Sequence, residues 1–514
     1  MMNIKIIAFK LLIITTSCVV ILGIFNYFIE NKIRNIITES LSENVLVNNY
    51  QLSVSLFRNQ FVVNNVSLVS KINNKYETDS LYLQQLKIQG LNLPKFLFKN
   101  IVEFNEVSIE EGFIKLFSKD NSSEKQKKNF NLKNAVSIKN FYVKNVDFIT
   151  KELSDGIEKT AIKEVSLDFQ KVWVDSITVN AKIPFTYEKV GFSIGEIYIR
   201  MNDFDEFRTK NFTLENNILL AKDVSIQTIY TEEELSIHLK TERDYTDLKI
   251  PELRMDGFKF GTRDTLFFVE NKKVNIKNAS LHVYRDKTVT DDLRVKPLFS
   301  KAIRELPFLL TNDSIFLENA AITYEEKVHP DQSAGKLFFT NLNAIITDFS
   351  NSFLTGKKKT IIDVNSSFMK SATIEVRWDF DITSLSDDFS FKGNVSGLTV
   401  SDINYFTRPT INVELNGEVK KAYFDIEGNH TSSQIDFKIT YDDLKVTIVD
   451  NGKRKKKILS TLTNILIKKD SKNEVTNYRE VQSHVVRNKD KSFFNYLWIN
   501  LEEGLKQTML VNLL

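Results

Sequence analysis

The segment SIFLENAAITYEE, residues 314–326, contains an alternation of apolar residues that is interrupted once and then resumes. Ile315 and Leu317 occupy every second position, which is the period of a strand with one apolar face. A polar pair, Glu318-Asn319, then shifts the alternation to Ala320 and Ile322. The pair predicts a bulge or a tight corner that keeps the same side of the strand buried.

The same six-residue template recurs along the chain: an apolar residue, two residues from Asn, Lys, Glu and Asp, then Val or Ala, any residue, and Leu, Ile or Phe. It begins at Val63, Phe104, Val143, Ile162, Ala221, Ile276 and Leu317, and successive starts are 41, 39, 19, 59, 55 and 41 residues apart. These spacings approach multiples of a unit of about 20 residues, which indicates stacked repeats in an elongated array. The alternative is that a β-rich chain produces such a loose pattern by chance.

Composition excludes several classes of protein. The 514 residues include 69 Lys plus Arg and 66 Asp plus Glu, and this balance argues against a nucleic-acid-binding protein. The 16 Gly and 7 Pro are too few for collagen-like or Pro/Gly-rich disordered chains. The single cysteine, Cys18, leaves no disulfide.

The N-terminus predicts a membrane anchor. Residues 11–29 carry no charge and span about 28 Å as a helix, enough to cross the hydrocarbon core of a bilayer. Lys5 and Lys10 precede this segment, and no small-residue cleavage site interrupts it. We therefore expect residues 1–10 to be a cytoplasmic stub and residues 11–29 an uncleaved transmembrane anchor, with the rest of the chain outside the cytoplasm.

The remaining chain is predicted to be almost entirely β. A β-groove region over 30–290 is followed by a short helix over 291–307, where Pro297 suits a first helical position and Pro307 ends the helix. A second β-groove region covers 308–451. Residues 452–514 form a tail with a basic run, Lys453–Lys457, and a final amphipathic helix from Ser492.

A sheet with one apolar face and few helices must cover itself, as a sandwich or as a curled trough. About 25 strands at 4.7–4.9 Å would extend roughly 120 Å, too long for a compact sandwich. We therefore expect an elongated, curled antiparallel sheet whose interior accepts acyl chains. The residues predicted to line it are Ile374, Val376, Trp378, Phe380, Ile435, Phe437 and Ile439. Arg377 and Lys438, on the same two strands, are expected to face water.

The final helix carries an apolar stripe at a spacing of four residues: Leu497, Leu501, Leu505 and Met509. Glu502 and Glu503 beside the stripe make it a poor membrane span. We expect this helix to cap the end of the sheet or to dock on a membrane or a partner.

The sequence predicts neither a catalytic nor a metal site. The five His are scattered and have no Cys to help them. Gly191-Phe192-Ser193-Ile194-Gly195 matches the nucleophile motif of hydrolases. That motif needs a helix after the turn, whereas Glu196–Arg200 alternates as a strand. We therefore expect no enzyme activity and no cofactor.

Several stretches resemble AsmA-like proteins of Gram-negative envelopes. They are the uncleaved span, the repeated template, Leu306-Pro307-Phe308 leading into SIFLENAAITYEE, and Leu415-Asn416-Gly417 through Tyr441-Asp442-Asp443-Leu444-Lys445-Val446. The ending KSFFNYLW, residues 491–498, is similar to that of Bacteroidota members.

The resemblance implies a β-groove of the bridge-like lipid transfer type, anchored in the inner membrane and located in the periplasm. Its cargo would be phospholipid or another acyl lipid, moved toward the outer membrane or used to maintain it, with an outer-membrane protein as a further candidate partner and no nucleic acid. A structural or chaperone-like role in outer-membrane protein assembly is the alternative, since an exposed sheet edge can add a strand.

Overall fold

A computed structural model describes residues 45–70, 79–118, 132–181, 183–263, 266–352, 359–449, 470–471 and 477–509. The predicted stub, the predicted anchor and the basic run Lys453–Lys457 lie outside these residues. No helix among those that are described is long and apolar enough to cross a membrane.

The described strands form one large mixed sheet, which confirms that the chain is mostly β. The chain divides into two compact units. Unit 1 comprises residues 1–201, 208–216 and 261–265, and unit 2 comprises residues 202–207, 217–260 and 266–514.

The described part of unit 1 is built from strands and one short α-helix. In chain order they are β1 Val45–Ser55, β2 Gln60–Ser70, β3 Ser80–Gln89, α1 Leu93–Lys99, β4 Ile101–Ser118, β5 Ala135–Glu152, β6 Glu158–Val174 and β7 Lys189–Arg200, with most of β8 Asp205–Glu215. A 3₁₀ turn, Thr178–Asn180, follows β6. Strands β1 to β4 pair antiparallel in chain order, as do β5 to β7.

Unit 2 contains the remaining described strands and helices. Its first half has β9 Ile218–Thr228, α2 Glu232–His238, β10 Asp244–Asp256, β12 Leu266–Lys277, β13 Ser280–Asp286 and α3 Phe299–Arg304, with β11 Lys259–Arg263 divided between the units. Its second half has β14 Leu309–Lys327, β15 Gly335–Ser350, β16 Thr360–Phe368, β17 Ala372–Phe380, β18 Phe389–Thr399, a 3₁₀ turn Val400–Ile403, α4 Asn404–Ile411, β19 Val413–Gly428, β20 Ser432–Ile448, β21 Arg479–Val486 and α5 Phe493–Met509. Strands β14 to β21 pair antiparallel in chain order.

The prediction of a purely antiparallel sheet was wrong at two places. β4 pairs parallel with β5, and β14 pairs parallel with both β12 and β13. Parallel neighbours need a long crossover connection. Residues 119–134 connect the first pair, and residues 287–308, which contain α3, connect β13 to β14. The segment predicted as a boundary helix over 291–307 therefore belongs to a crossover.

The helix in that crossover is shorter than predicted. It begins after Leu298, so Pro297 precedes the helix and does not start it. Leu298 and Ile303 are buried in the hydrophobic core of unit 2. The Arg304 guanidinium donates to the carbonyl oxygens of Ile382 (2.7 Å) and Ser384 (3.0 Å). Together these contacts hold the crossover against the sheet.

Candidate functional site

The strand register shifts at the polar pair, as the sequence predicts, in the copies that begin at Val63, Val143, Ile162 and Leu317. In six of the seven copies the second polar residue has a positive φ between 48° and 56°: Asn65, Asn145, Glu164, Asp223, Asn278 and Asn319. Asn and Asp enter this left-handed region more readily than most residues, because their short side chains bond to nearby backbone. The copy at Phe104 is the exception, and its strand bends at Glu111 instead (φ 47°).

Hydrogen bonds between neighbouring strands hold the bulges in place. In unit 1 the backbone N–H of Asn145 donates to Ser166 Oγ at 3.2 Å, and that of Glu164 donates to Asp147 Oδ1 at 2.8 Å. In unit 2 the Asn319 side-chain amide donates to Asn278 Oδ1 at 2.8 Å. In these two pairs of neighbouring strands the bends therefore line up.

The strand register of unit 1 places one apolar residue from each of seven strands in a continuous row. The members of this row, called row 1, are Leu52, Val63, Leu86, Ile109, Val143, Leu167 and Phe192. Two template starts, Val63 and Val143, belong to row 1. Apart from Leu52, which is buried, all members are partly exposed. The one helix described within unit 1, α1, contacts β4 and buries none of its own residues.

A similar row crosses eleven strands of unit 2. The members of row 2 are Ala221, Leu253, Ile276, Leu317, Ala344, Val364, Val376, Gly393, Phe424, Phe437 and Val481. Across the bulge of β14, Leu317, Ala320 and Ile322 contribute to one apolar cluster. The alternation in SIFLENAAITYEE therefore keeps its apolar side facing one way, as predicted.

The predicted lining residues lie on the same face as row 2, under a helix. Phe380, Ile435, Phe437 and Ile439 are buried in the core of unit 2, and Val376 and Trp378 pack against that core. Ile374 is partly exposed on the same strand. The sequence identified the apolar face at these positions but not the helix that covers it.

That cover is α5, the predicted amphipathic helix, which packs on β20 and β21. Leu497 is buried in the core, and Leu501, Leu505 and Met509 pack against it. The predicted docking stripe therefore faces the sheet of its own chain.

Two contacts fix how closely α5 lies on the sheet. Gly504 allows this approach, because a Cβ built there would lie 2.7 Å from Phe437 Cγ. Fully buried Asn500 accepts a hydrogen bond from Ser433 Oγ at 2.9 Å.

An aromatic cluster anchors the start of the helix. The ring of Phe493 stacks on Trp378 with centroids 4.7 Å apart and meets Phe389 edge-on at 5.1 Å. Phe494 and Trp498, in contrast, are exposed. The large apolar residues of α5 that remain exposed are thus the two aromatics beside the stripe, not the stripe itself.

The opposite face of unit 2 forms an open, concave pocket of about 1300 Å³ whose lining includes many charged side chains. Arg377 and Lys438 lie there and are about half exposed, as predicted, each paired with a carboxylate: Asp363 at 3.1 Å and Glu480 at 2.8 Å. The hydrogen bond from Lys438 to Glu480 raises the pKa of the Lys438 ammonium above its usual range. The lining contains three basic side chains and six carboxylates, so this face has an excess of negative charge.

Ser193 lies in the middle of β7, where it pairs with Ser166 of β6. The strand continues to Arg200, so the helix that a nucleophile turn requires is not there. Among the described residues, no group of three His, Cys, Asp or Glu side chains is arranged to bind a metal ion.

No known protein family and no curated protein matches the chain. The class of protein that the structure itself defines is a large mixed β-sheet of repeated, bulged strands whose apolar residues align in rows.

Proposed function

We propose that the protein is an inner-membrane-anchored periplasmic carrier of phospholipid or another acyl lipid, of the AsmA-like type, serving the outer membrane. The observation that carries the proposal is row 1. Six of its seven apolar members are partly exposed to solvent. Leaving such a continuous apolar strip in water is unfavourable, so a ligand with acyl chains would stabilise it.

The dimensions of row 1 suit this ligand. Six strand spacings of 4.7–4.9 Å give a length of roughly 29 Å. One leaflet of a bilayer core is about 15 Å thick, so the strip is longer than a single acyl chain. Each CH₂ moved from water onto an apolar surface contributes about 0.8 kcal/mol. A lipid could therefore lie along the strip with its headgroup in water, and the chemistry requires no catalytic residue.

Site-specific photo-cross-linking in cells tests this proposal. A photoreactive residue at Leu86 or Val143, both in row 1, should capture lipid that mass spectrometry identifies after purification. The matched control position is Lys144, whose exposed side chain points to the other face of β5. Equal capture of lipid at Val143 and Lys144 would refute a specific path.

The same experiment separates the alternative function. A structural or chaperone-like factor in outer-membrane protein assembly would yield cross-links to polypeptide at these positions and no lipid. That result would favour the alternative function, in which the sheet recognises the strands or side chains of a protein client, over lipid transport.

A further inference from the structure

One edge of unit 1 carries a group of large apolar side chains that face solvent. We call it the tip patch; its members are Phe57, Leu93, Phe96, Leu97 and Phe98. Phe57 is 91% exposed and Phe98 is 84% exposed. Single exposed apolar residues are normal, but a contiguous group of this size marks an interaction surface.

Hydrogen bonds hold the two parts of the tip patch together. Phe57 lies in the turn between β1 and β2, and the other four residues belong to α1. Asn59 of the turn accepts a hydrogen bond from the Gly90 N–H (2.8 Å) and donates one to the Leu91 carbonyl oxygen (3.0 Å). The turn is thereby fixed beside the segment that leads into α1, so the apolar residues share one edge.

Helix α1 is not explained by packing. Its start is capped by Asn92, whose side chain accepts from the Lys95 N–H at 3.2 Å, and its end is closed by Asn100 in the left-handed conformation. None of its seven described residues is buried. A well-capped helix that contributes nothing to a core serves to present its side chains.

The charged residues within the turn and the helix segment of the tip patch are all basic. Residues 56–59 and 91–100 contain Arg58, Lys95 and Lys99 and no Asp or Glu. Lys95 forms an ion pair with Glu103 of β4, whereas the Arg58 and Lys99 side chains are exposed at the edge. Aromatic and aliphatic side chains flanked by basic ones are the composition of surfaces that lie in a bilayer interface.

We propose that the tip patch inserts into the headgroup region of an anionic lipid bilayer. This inference rests on the membrane anchor of the proposed function, because the predicted span at 11–29 places the same membrane nearby. The linking residues 30–44 reach at most about 50 Å when extended, and β1 is about 36 Å long. The turn at the far end of β1 can therefore touch the membrane that holds the anchor.

The test uses the full chain in vesicles of phosphatidylcholine and phosphatidylglycerol. Because Cys18 is the only cysteine, a Cys18→Ser background accepts single labelling sites. An environment-sensitive fluorophore is attached at Phe57→Cys or Phe98→Cys. Ile177→Cys serves as the matched control, since Ile177 is 82% exposed in the same unit but lies outside the tip patch. Nitroxide-labelled lipid then reports contact with the bilayer by quenching the fluorophore.

We expect strong quenching at positions 57 and 98, weaker quenching when phosphatidylglycerol is omitted, and little at position 177. Quenching at 57 and 98 no greater than at 177 would overturn the inference. If lipid cross-linking at Val143 persists in that case, the proposed function survives without the docking surface. Failure of the labelled protein to float with the vesicles would overturn both the anchor and the docking surface.

Discussion

The same substitution made in row 1 and in row 2 should have opposite consequences. Phe437 is 2% exposed beneath α5, whereas Val143 is partly exposed on the apolar face of unit 1. Replacing each with Asp places a carboxylate in the middle of an apolar row. We expect Phe437→Asp to unfold the last strands of unit 2, and Val143→Asp to leave unit 1 folded but unable to bind acyl chains.

The stability costs of the two substitutions differ because only Phe437 is buried from water. A buried Phe removes 150–250 Å² from water, which at 25 cal/mol per Å² contributes about 4–6 kcal/mol. The unpaired carboxylate beneath α5 adds several kcal/mol more. Their sum is of the order of the whole stability of a domain, about 5–15 kcal/mol. Val143→Asp forfeits about 1 kcal/mol of partial burial, and its carboxylate remains hydrated.

Hydrogen–deuterium exchange measures the outcome locally. Peptides from β19 to β21 should lose protection in Phe437→Asp, while those from β4 to β6 should keep it in Val143→Asp. Bound lipid, counted by mass spectrometry, should fall in Val143→Asp because the apolar face has changed and not because unit 1 has unfolded. Lys438→Ala and Lys144→Ala are the matched controls on the polar face, and each should leave the protection of its unit unchanged.

Two results would refute this reasoning. If Val143→Asp unfolds β4 to β6, row 1 is a sealed core and not an accessible face. If Phe437→Asp keeps the protection of β20 and α5, the helix does not seal the sheet there.

Three further outcomes are expected. Gly504→Ala should lower the free energy of unfolding, measured in urea, by about 1–2 kcal/mol. The clash of the new methyl group with Phe437 outweighs the gain in helix propensity of about 1 kcal/mol. A more stable variant would contradict the close packing of α5 on the sheet. Asn319→Ala should lower the free energy of unfolding by about 1–2 kcal/mol and Asn319→Gly by less, since Gly adopts the left-handed conformation freely. Equal losses in the two variants would show that the bulge does not require the left-handed conformation. The backbone N–H of Thr178, 2.8 Å away, lowers the pKa of Asp175 to about 2. The Asp175 carboxylate therefore stabilises the fold fully above the unfolded-state pKa near 3.9, and this stabilisation is lost as the pH falls toward 2. Asp175→Asn should flatten that part of the acid titration followed by circular dichroism, and an unchanged profile would exclude this carboxylate as a source.

The sequence by itself determined the local character of the chain. A period of two identified apolar faces, and the polar pairs located bends, because a one-residue insertion must turn a strand if the same side is to stay buried. In six of the seven template copies the second polar residue adopts the left-handed conformation. The seventh, at Phe104, fits the template without bending, since the pattern does not encode backbone conformation. The amphipathic period also predicted the final helix from Ser492, which the structure contains as α5, Phe493–Met509.

Tertiary structure alone decided what each apolar face meets. Phe437 and Val143 occupy similar alternating patterns, yet α5 covers the first and no described helix buries the second. Alternation records which side of a strand avoids water, but not whether a helix, another strand or a ligand excludes that water. The parallel pairing of β14 with β13 also depends on the crossover through α3, a long-range connection that strand periodicity does not contain.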